Sequence, residues 1–207
     1  MVKKICTIVM VCGFMFAAFA ATADAAQPPV QQRIMKSIAG LKQQIAAADE
    51  GRGALNGITV QFLDDLAAVG DDRSSLDSLV MNYVADVQDV LAVDNTTKCN
   101  RSFYISVSVS AYGMLTELTS GNSFPCIVIN LTNKTADIMS AQIKRDICLI
   151  DTAGGSGDRD ALVQQLKGVE TTDFVTNALD VFICNPEPST GDYIGLFFNF
   201  LGINREP

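Results

Sequence analysis

Cysteine is the residue type in this sequence with the clearest capacity for chemistry. The later cysteines, Cys99, Cys126, Cys148 and Cys184, lie far apart, and the chain has no histidine. Structural zinc sites prefer close pairs such as C-x-x-C and often use histidine, so this spacing disfavours a metal site. We therefore interpret the four cysteines as two disulfides formed in an oxidising compartment.

Carboxylates are the remaining candidates for catalysis, since a serine triad requires the histidine that this chain lacks. The pairs Asp64-Asp65 and Asp71-Asp72 lack the D-x-[DN]-x-[DN]-G spacing of a calcium loop, and we interpret them as solvated surface. Carboxylates that meet only in three dimensions could still serve a glycosidase. We expect no catalytic residue, no cofactor and no metal, and we keep a carboxylate-dependent lumenal hydrolase as an alternative.

The first 25 residues have the three-part pattern of a secretory signal peptide. Lys3 and Lys4 form a positive end, an apolar run covers residues 5 to 20, and the small residues of Ala23-Asp24-Ala25 follow. The apolar run is short for a membrane span. The sequence therefore predicts cleavage after Ala25 and a secreted, extracellular protein with no membrane span.

The mature chain is expected to be one acidic domain covering residues 26 to 207. Removing Lys3, Lys4 and Asp24 changes the formal net charge from −8 to −9. Such a charge repels nucleic acid and anionic lipid surfaces, so we expect neither as a partner. The length is sufficient to bury a hydrophobic core within a single domain.

Four N-glycosylation sequons lie between residues 95 and 135. They begin at Asn95, Asn100, Asn130 and Asn133. Their clustering favours glycosylation at some of these sites, although glycans on both Asn130 and Asn133 would be crowded. The sequence thus predicts a glycoprotein.

The first half of the mature chain has helical periodicity. Ile34, Ile38, Leu41 and Ile45 predict an amphipathic helix over residues 30 to 48. A second, shorter apolar face covers residues 58 to 69. The clearest pattern lies between residues 76 and 93, where we expect a helix that begins at Ser74, with Asp77 three residues later, as in a capping box.

Residues 103 to 111, FYISVSVSA, are ambiguous between helix and strand. Ile105, Val107 and Val109 alternate with serines as in a half-buried strand, whereas the apolar positions that follow fit a helix. We favour a long helix over about residues 101 to 119. The alternative is an α+β fold with a hairpin within residues 103 to 131.

The last third predicts further helices separated by glycine and proline. One contains Ile138 and Ile147, and Asp158 is a candidate cap for the next. After Gly168, Thr172 is a candidate cap for a helix over residues 174 to 184, with Phe174, Ala178, Val181 and Phe182 facing inward. Proline after Asn185 should end that helix, because proline lacks the backbone donor. The predicted fold class is mainly α, a disulfide-braced helical bundle whose cysteine-braced half covers residues 95 to 190.

Four cysteines allow three disulfide pairings, and the helical model favours one of them. If residues 101 to 119 run up, residues 126 to 148 run down and the next segment climbs again, Cys99 lies level with Cys148, and Cys126 with Cys184. Disulfides require Cα atoms within about 7 Å. The helical model therefore predicts the pairs Cys99 with Cys148 and Cys126 with Cys184, whereas the hairpin would bring Cys99 close to Cys126.

The wide spacing of these four cysteines, the intervening helices, the sequons and the leader resemble insect secreted proteins of the tsetse EP domain family. In that family a helical cysteine-braced domain can precede a tail of glutamate-proline repeats and is associated with gut secretion and defence. This chain has only Glu187-Pro188 and Glu206-Pro207, without a repeat. The resemblance implies no catalytic residues.

The leading functional hypothesis is a non-enzymatic secreted protein that acts by surface recognition, in gut defence or reproduction. The first alternative is a carrier of a small apolar ligand, because Phe197, Phe198 and Phe200 could line a pocket. The second alternative is the carboxylate-dependent hydrolase. The expected partner is accordingly an extracellular protein or a small apolar molecule.

Overall fold

The computed structural model describes residues 30–46, 54–69, 72–91, 98–154, 159–185 and 187–203. The chain divides into two units, Met1–Arg33 and Ile34–Pro207, and only the start of one helix is described in the first. The predicted signal peptide lies outside the described residues. The described part of the chain contains seven α-helices and no strand. They are α1 Val30–Ala46, α2 Ala54–Ala68, α3 Arg73–Leu91, α4 Lys98–Thr119, α5 Phe124–Ala153, α6 Arg159–Leu179 and α7 Thr190–Ile203.

The mainly α, disulfide-braced prediction is therefore confirmed, and the hairpin alternative is wrong. FYISVSVSA lies inside α4, which buries Phe103 and Val107 on one side and exposes Ile105 and Val109 on the other. The alternation that resembled a strand arises because α4 carries apolar residues on two faces, only one of which packs on the core. Within each face the apolar residues follow the helical period, and the two faces together place an apolar residue at every second position, as in a strand.

The first three helices bury the apolar positions that their periodicity indicates. Ile34, Ile38, Leu41 and Ile45 are all buried on α1. Between α2 and α3, the Phe62 and Tyr83 rings stack with centroids 4.2 Å apart, and the Tyr83 hydroxyl is hydrogen-bonded to Thr59 at 2.9 Å. Burial raises the pKa of Tyr83 above its ordinary value, so the hydroxyl remains a neutral partner for Thr59.

Asp72, not Ser74, caps α3. The Asp72 carboxylate accepts hydrogen bonds from the Ser74 backbone N–H, at 3.1 Å, and from the Ser75 hydroxyl. These bonds hold the pKa of Asp72 below its ordinary value, because they stabilise the ionised form. Asp77, expected in a capping box with Ser74, instead forms an ion pair with Arg73 at 3.2 Å. The residue that caps α3 therefore lies two positions before the one that the sequence predicted.

α5 is the central helix of the cysteine-braced half. Both α4 and α6 pack extensively against it, and it is buried along most of its length. Pro125 lies in its first turn, where a helix tolerates the missing donor. It ends at Gly154, whose φ of 70° is in the left-handed region that favours glycine.

α6 differs from the prediction in two respects. It runs through Gly168 without a break, so Thr172 does not begin a new helix: its hydroxyl donates to the Gly168 carbonyl at 3.2 Å from within the helix. Helix hydrogen bonding between neighbouring turns outweighs the modest cost of one interior glycine. Phe182, expected to face inward, is 52% exposed. Asp158 lies outside the described residues.

A π-helical segment, Asp180–Cys184, continues α6. The helix stops before Asn185, which is the end that the sequence predicted. α7 then packs against α6. Within the described residues, no helix is both long enough and apolar enough to cross a membrane.

Candidate functional site

The four cysteines join the ends of two antiparallel helix pairs. Cys99 and Cys148 link the start of α4 to the end of α5, with Cα atoms 5.7 Å apart. Cys126 and Cys184 link the start of α5 to the π-helical segment, with Cα atoms 5.5 Å apart. This is the pairing that the up-down-up helical model gives. The disulfides brace the fold and leave none of the four thiols for catalysis or metal binding.

The sequon asparagines occupy different environments. Asn95 lies outside the described residues. Asn100 is half-buried on α4 and accepts a hydrogen bond from Arg145 at 2.7 Å. Asn130 donates to the Glu117 carboxylate at 3.1 Å. Asn133 is only 6% exposed and donates to Asn177 at 3.1 Å. Glycosylation at these sites remains a prediction, and Asn133 is the least accessible of the three sequon asparagines that the structure describes.

Asn133 belongs to a polar seam between α5 and α6. We use this name for the polar side chains that the two helices bring together along this interface, Asn133, Lys134, Asp137, Asp173, Asn177 and Asp180. Asn133 donates to Asn177, and Asn177 in turn hydrogen-bonds Asp173. The Asn133 Oδ1 atom is buried and has no hydrogen-bond partner among the described residues. Lys134 forms an ion pair with Asp137 at 3.3 Å.

Asp173 is the most perturbed carboxyl group of the polar seam. Burial raises its pKa to about 7, and the neighbouring carboxylates Asp137 and Glu170 act in the same direction. Lys134 and the hydrogen bond from Asn177 oppose the shift without cancelling it. A half-buried carboxyl group that titrates near neutrality could exchange a proton under ordinary conditions. Lys144 binds Glu170 at 2.8 Å on the same interface.

Carboxylates from three elements approach one another at the end of the polar seam. Burial raises the pKa of Asp180, and Glu117 of α4 and Asp192 of α7 add to the effect. Asp192 accepts hydrogen bonds from the Ser189 backbone N–H at 2.7 Å and from its hydroxyl at 2.8 Å, and these hold the pKa of Asp192 below its ordinary value. Lys134 is the cation that opposes the rise at Asp180. The region therefore has negative potential.

An exposed apolar surface adjoins these carboxylates. Its members, which we call the C-terminal aromatic surface, are Phe182, Tyr193, Ile194 and Phe197. The Phe182 and Tyr193 rings lie in tilted contact with centroids 6.1 Å apart, two residues and one residue from Asp180 and Asp192. The side chains of Phe198 and Phe200, named with Phe197 as a pocket lining, lie outside the described residues.

Of the acidic pairs singled out in the sequence, the structure describes Asp64, Asp65 and Asp72, and each of these three has a separate local partner. Asp64 forms an ion pair with Lys42, and Asp65 accepts a hydrogen bond from Gln61 at 2.9 Å. Asp72 caps α3, and Asp71 lies outside the described residues. Across the part of the chain that the structure describes, no three histidine, cysteine or acidic side chains are arranged to hold a metal ion.

The polar seam was missed by the sequence analysis, although a signal for it exists. Asn130, Asn133, Lys134 and Asp137 recur at steps of three, one and three residues, and Asp173, Asn177 and Asp180 at steps of four and three. Helical spacing places each set on one face of its helix. Sequence spacing alone does not show that the two faces meet.

No family model, no curated protein and no solved structure matches this chain.

Proposed function

We propose that this chain is a non-enzymatic secreted extracellular protein that acts by surface recognition through the C-terminal aromatic surface. The observation that carries the proposal is the exposed contact between Phe182 and Tyr193, beside the carboxylates of Asp180 and Asp192. Aromatic side chains are enriched at the energetic centres of protein interfaces. A cluster of exposed apolar side chains with polar neighbours is typical of a protein interaction site.

Charge complementarity specifies the partner. Asp180, Asp192 and Glu117 approach one another next to exposed aromatic rings. A partner segment with apolar side chains would cover the rings, and lysine or arginine beside them would face the carboxylates and stack on the ring faces. We therefore assign the surface to a basic, amphipathic segment of an extracellular protein.

Two synthetic helical peptides of equal length test this assignment, one built from lysine and leucine and the other from lysine and serine. The oxidised chain should bind the lysine-leucine peptide more tightly, as measured by fluorescence anisotropy. Phe182→Ala should weaken that binding about 10-fold, because it truncates a central aromatic contact. Met81→Ala is the matched control, since Met81 is an exposed apolar residue of α3, remote in sequence from this surface. Equal binding of both peptides, or no effect of Phe182→Ala, would refute the assignment.

The carrier alternative draws on the same aromatic side chains, because exposed apolar residues on α7 could cover a small apolar ligand. The hydrolase alternative draws on Asp173, whose pKa of about 7 suits proton transfer. Native mass spectrometry of protein purified from its source separates these alternatives from recognition. A retained lipid supports the carrier, turnover of pooled substrates supports the hydrolase, and an empty, inactive chain supports recognition.

Secretion and biological role are part of this proposal. Two disulfides support an oxidising compartment, and the amino-terminal pattern supports export. A role in gut defence rests on the resemblance to the tsetse EP domain family, which the cysteines, the helices between them, the sequons and the leader support. Reproduction is an alternative role that the resemblance does not imply.

A further inference from the structure

α4 exposes a continuous apolar stripe on the side opposite its buried face. Ile105, Val109 and Tyr112 are 56%, 66% and 70% exposed, and Tyr104, which precedes Ile105 in the sequence, is 41% exposed. Ile105, Val109 and Tyr112 are spaced by four and three residues, which aligns them along one side of the helix. We call these four side chains the α4 outer stripe.

The surroundings of the α4 outer stripe are unlike a solvated helix face. No charged residue occurs between Arg101 and Glu117, and the exposed positions between them include the short polar residues Ser102 and Ser106. Thr116 continues the line of the stripe, and its hydroxyl donates to the Gly113 carbonyl of its own helix at 2.8 Å. A solvated face normally carries charged side chains on the side opposite the core. Large exposed apolar side chains without such charges are typical of an interface.

We propose that the α4 outer stripe binds the α4 outer stripe of a second copy of this chain, with the two helices antiparallel about a twofold axis near Val109. Val109 lies at the centre of α4, which covers Lys98–Thr119. About such an axis, Val109 meets Val109 of the second copy, and Ile105 lies beside Tyr112. A twofold interface requires a patch that complements itself, and this arrangement of residues satisfies that condition.

The charges at the ends of α4 agree with an antiparallel pair. Lys98 and Arg101 lie in the first turn, where the positive end of the helix disfavours cations. The antiparallel arrangement places them beside the carboxyl end of α4 in the second copy, which is the negative end and favours cations.

Oligomeric state across a concentration series tests the proposal directly. A stripe of four side chains per copy is small for an interface, so the dimer should dissociate on dilution. In sedimentation velocity, Val109→Glu should weaken the dimer by about 10-fold or more, because two unpaired carboxylates would be buried together at the axis. Met81→Glu is the matched control, because Met81 is 57% exposed on α3 and should leave the dimer unchanged. Far-UV circular dichroism verifies that both variants remain folded.

Disulfide cross-linking tests the position of the axis. Val109→Cys should form an intermolecular disulfide between two copies under mild oxidation, whereas Met81→Cys should not. A wild-type chain that is monomeric at every concentration would overturn the proposal, as would a dimer that Val109→Glu leaves intact. Binding of a monomeric chain to phosphatidylcholine vesicles that Val109→Glu abolishes would also overturn it, since the stripe would then contact lipid.

Discussion

Asn133 on α5 donates a hydrogen bond to Asn177 on α6, with 3.1 Å between the Nδ2 and Oδ1 atoms. The bond belongs to the polar seam between the two helices, where a buried polar pair is satisfied in only one alignment of the helices. Other links between the two elements have the same antiparallel alignment, namely Cys126 with Cys184, Lys144 with Glu170, and Asp151 with Arg159. The disulfide, the hydrogen bond and the two ion pairs are therefore all consistent with one antiparallel register.

This bond predicts that Asn133 of the secreted chain carries no glycan. The side chain is 6% exposed, and a glycan on its Nδ2 atom would prevent α5 from packing against α6. Asn100 differs, because it accepts its bond from Arg145 through Oδ1, an atom that a glycosylated asparagine retains. Amidase treatment in heavy-isotope water followed by peptide mass spectrometry should label at least one of Asn95, Asn100 and Asn130 but not Asn133. Labelled Asn133 would contradict the prediction.

The two faces of α4 predict opposite outcomes for two neighbouring valines. Val107 is 0% exposed and Val109 is 66% exposed. Val107→Ala should lower the free energy of unfolding by about 2 kcal/mol, because it leaves a cavity in the core. Val109→Ala should change it by less than about 0.5 kcal/mol. Urea denaturation of the two variants at a concentration where the chain is monomeric measures both. Equal losses would indicate that the two side chains share a face, as in a strand.

Asp173 should make stability depend on pH near neutrality. Its pKa is about 7 in the folded chain, above the ordinary value of 3.8, so the unfolded chain ionises first as the pH rises. Asp173 therefore lowers the free energy of unfolding progressively between about pH 4 and about pH 7, and by a constant amount above that range.

Asp173→Asn should remove this dependence, because an amide does not ionise in this range. Its oxygen can still accept the hydrogen bond from Asn177. The variant should gain stability relative to wild type as the pH rises through this window, and the gain should vanish at the acid end. Thermal denaturation at several pH values measures it. Asp86→Asn, on the exposed side of α3, controls for the change in net charge. An Asp173→Asn effect that is the same at every pH would show that Asp173 is not the group responsible.

Peptide mapping without reduction should recover two disulfide-linked peptide pairs. Trypsin cleaves after Arg101, Lys134 and Arg159, so each of Cys99, Cys126, Cys148 and Cys184 falls on its own peptide. We expect Cys99 with Cys148 and Cys126 with Cys184. Replacing either pair with serines should cost about 2 to 4 kcal/mol, because the closed loops are long. A peptide pair that links Cys99 to Cys126 would be incompatible with α4 and α5 as described.

The secreted chain should begin at or near Ala26. Lys3-Lys4, the apolar run and Ala23-Asp24-Ala25 have the pattern of a secretory signal peptide, which predicts export and cleavage. Amino-terminal sequencing of protein from the medium of secreting eukaryotic cells measures the start, and Met1 at that position would refute cleavage. Lys4→Glu with Lys3→Glu should reduce secretion, because it removes the positive end of the leader.

Much of the helical organisation could be predicted from the sequence by itself. Ile34, Ile38, Leu41 and Ile45 identify α1 and its buried side, because the spacing of apolar residues depends only on the local helical period. The disulfide pairing followed from helix lengths, which are local, together with the assumption that consecutive helices run antiparallel. Helix starts were less secure: Asp72 and Ser74 are both good caps, and local chemistry does not choose between them.

The sequence could not show which of the two apolar faces of α4 is buried, because tertiary packing determines it. Val107 and Val109 are the same residue type two positions apart, and the helices packed against α4, namely α5 and α3, make one core and leave the other on the surface. The same holds for Phe182, whose aromatic ring is exposed although its sequence pattern placed it inside. The polar seam likewise exists only where α5 and α6 meet, since the raised pKa of Asp173 arises from burial and from carboxylates on both helices. Periodicity reports the faces of one helix, whereas burial and electrostatics depend on what the rest of the chain places against them.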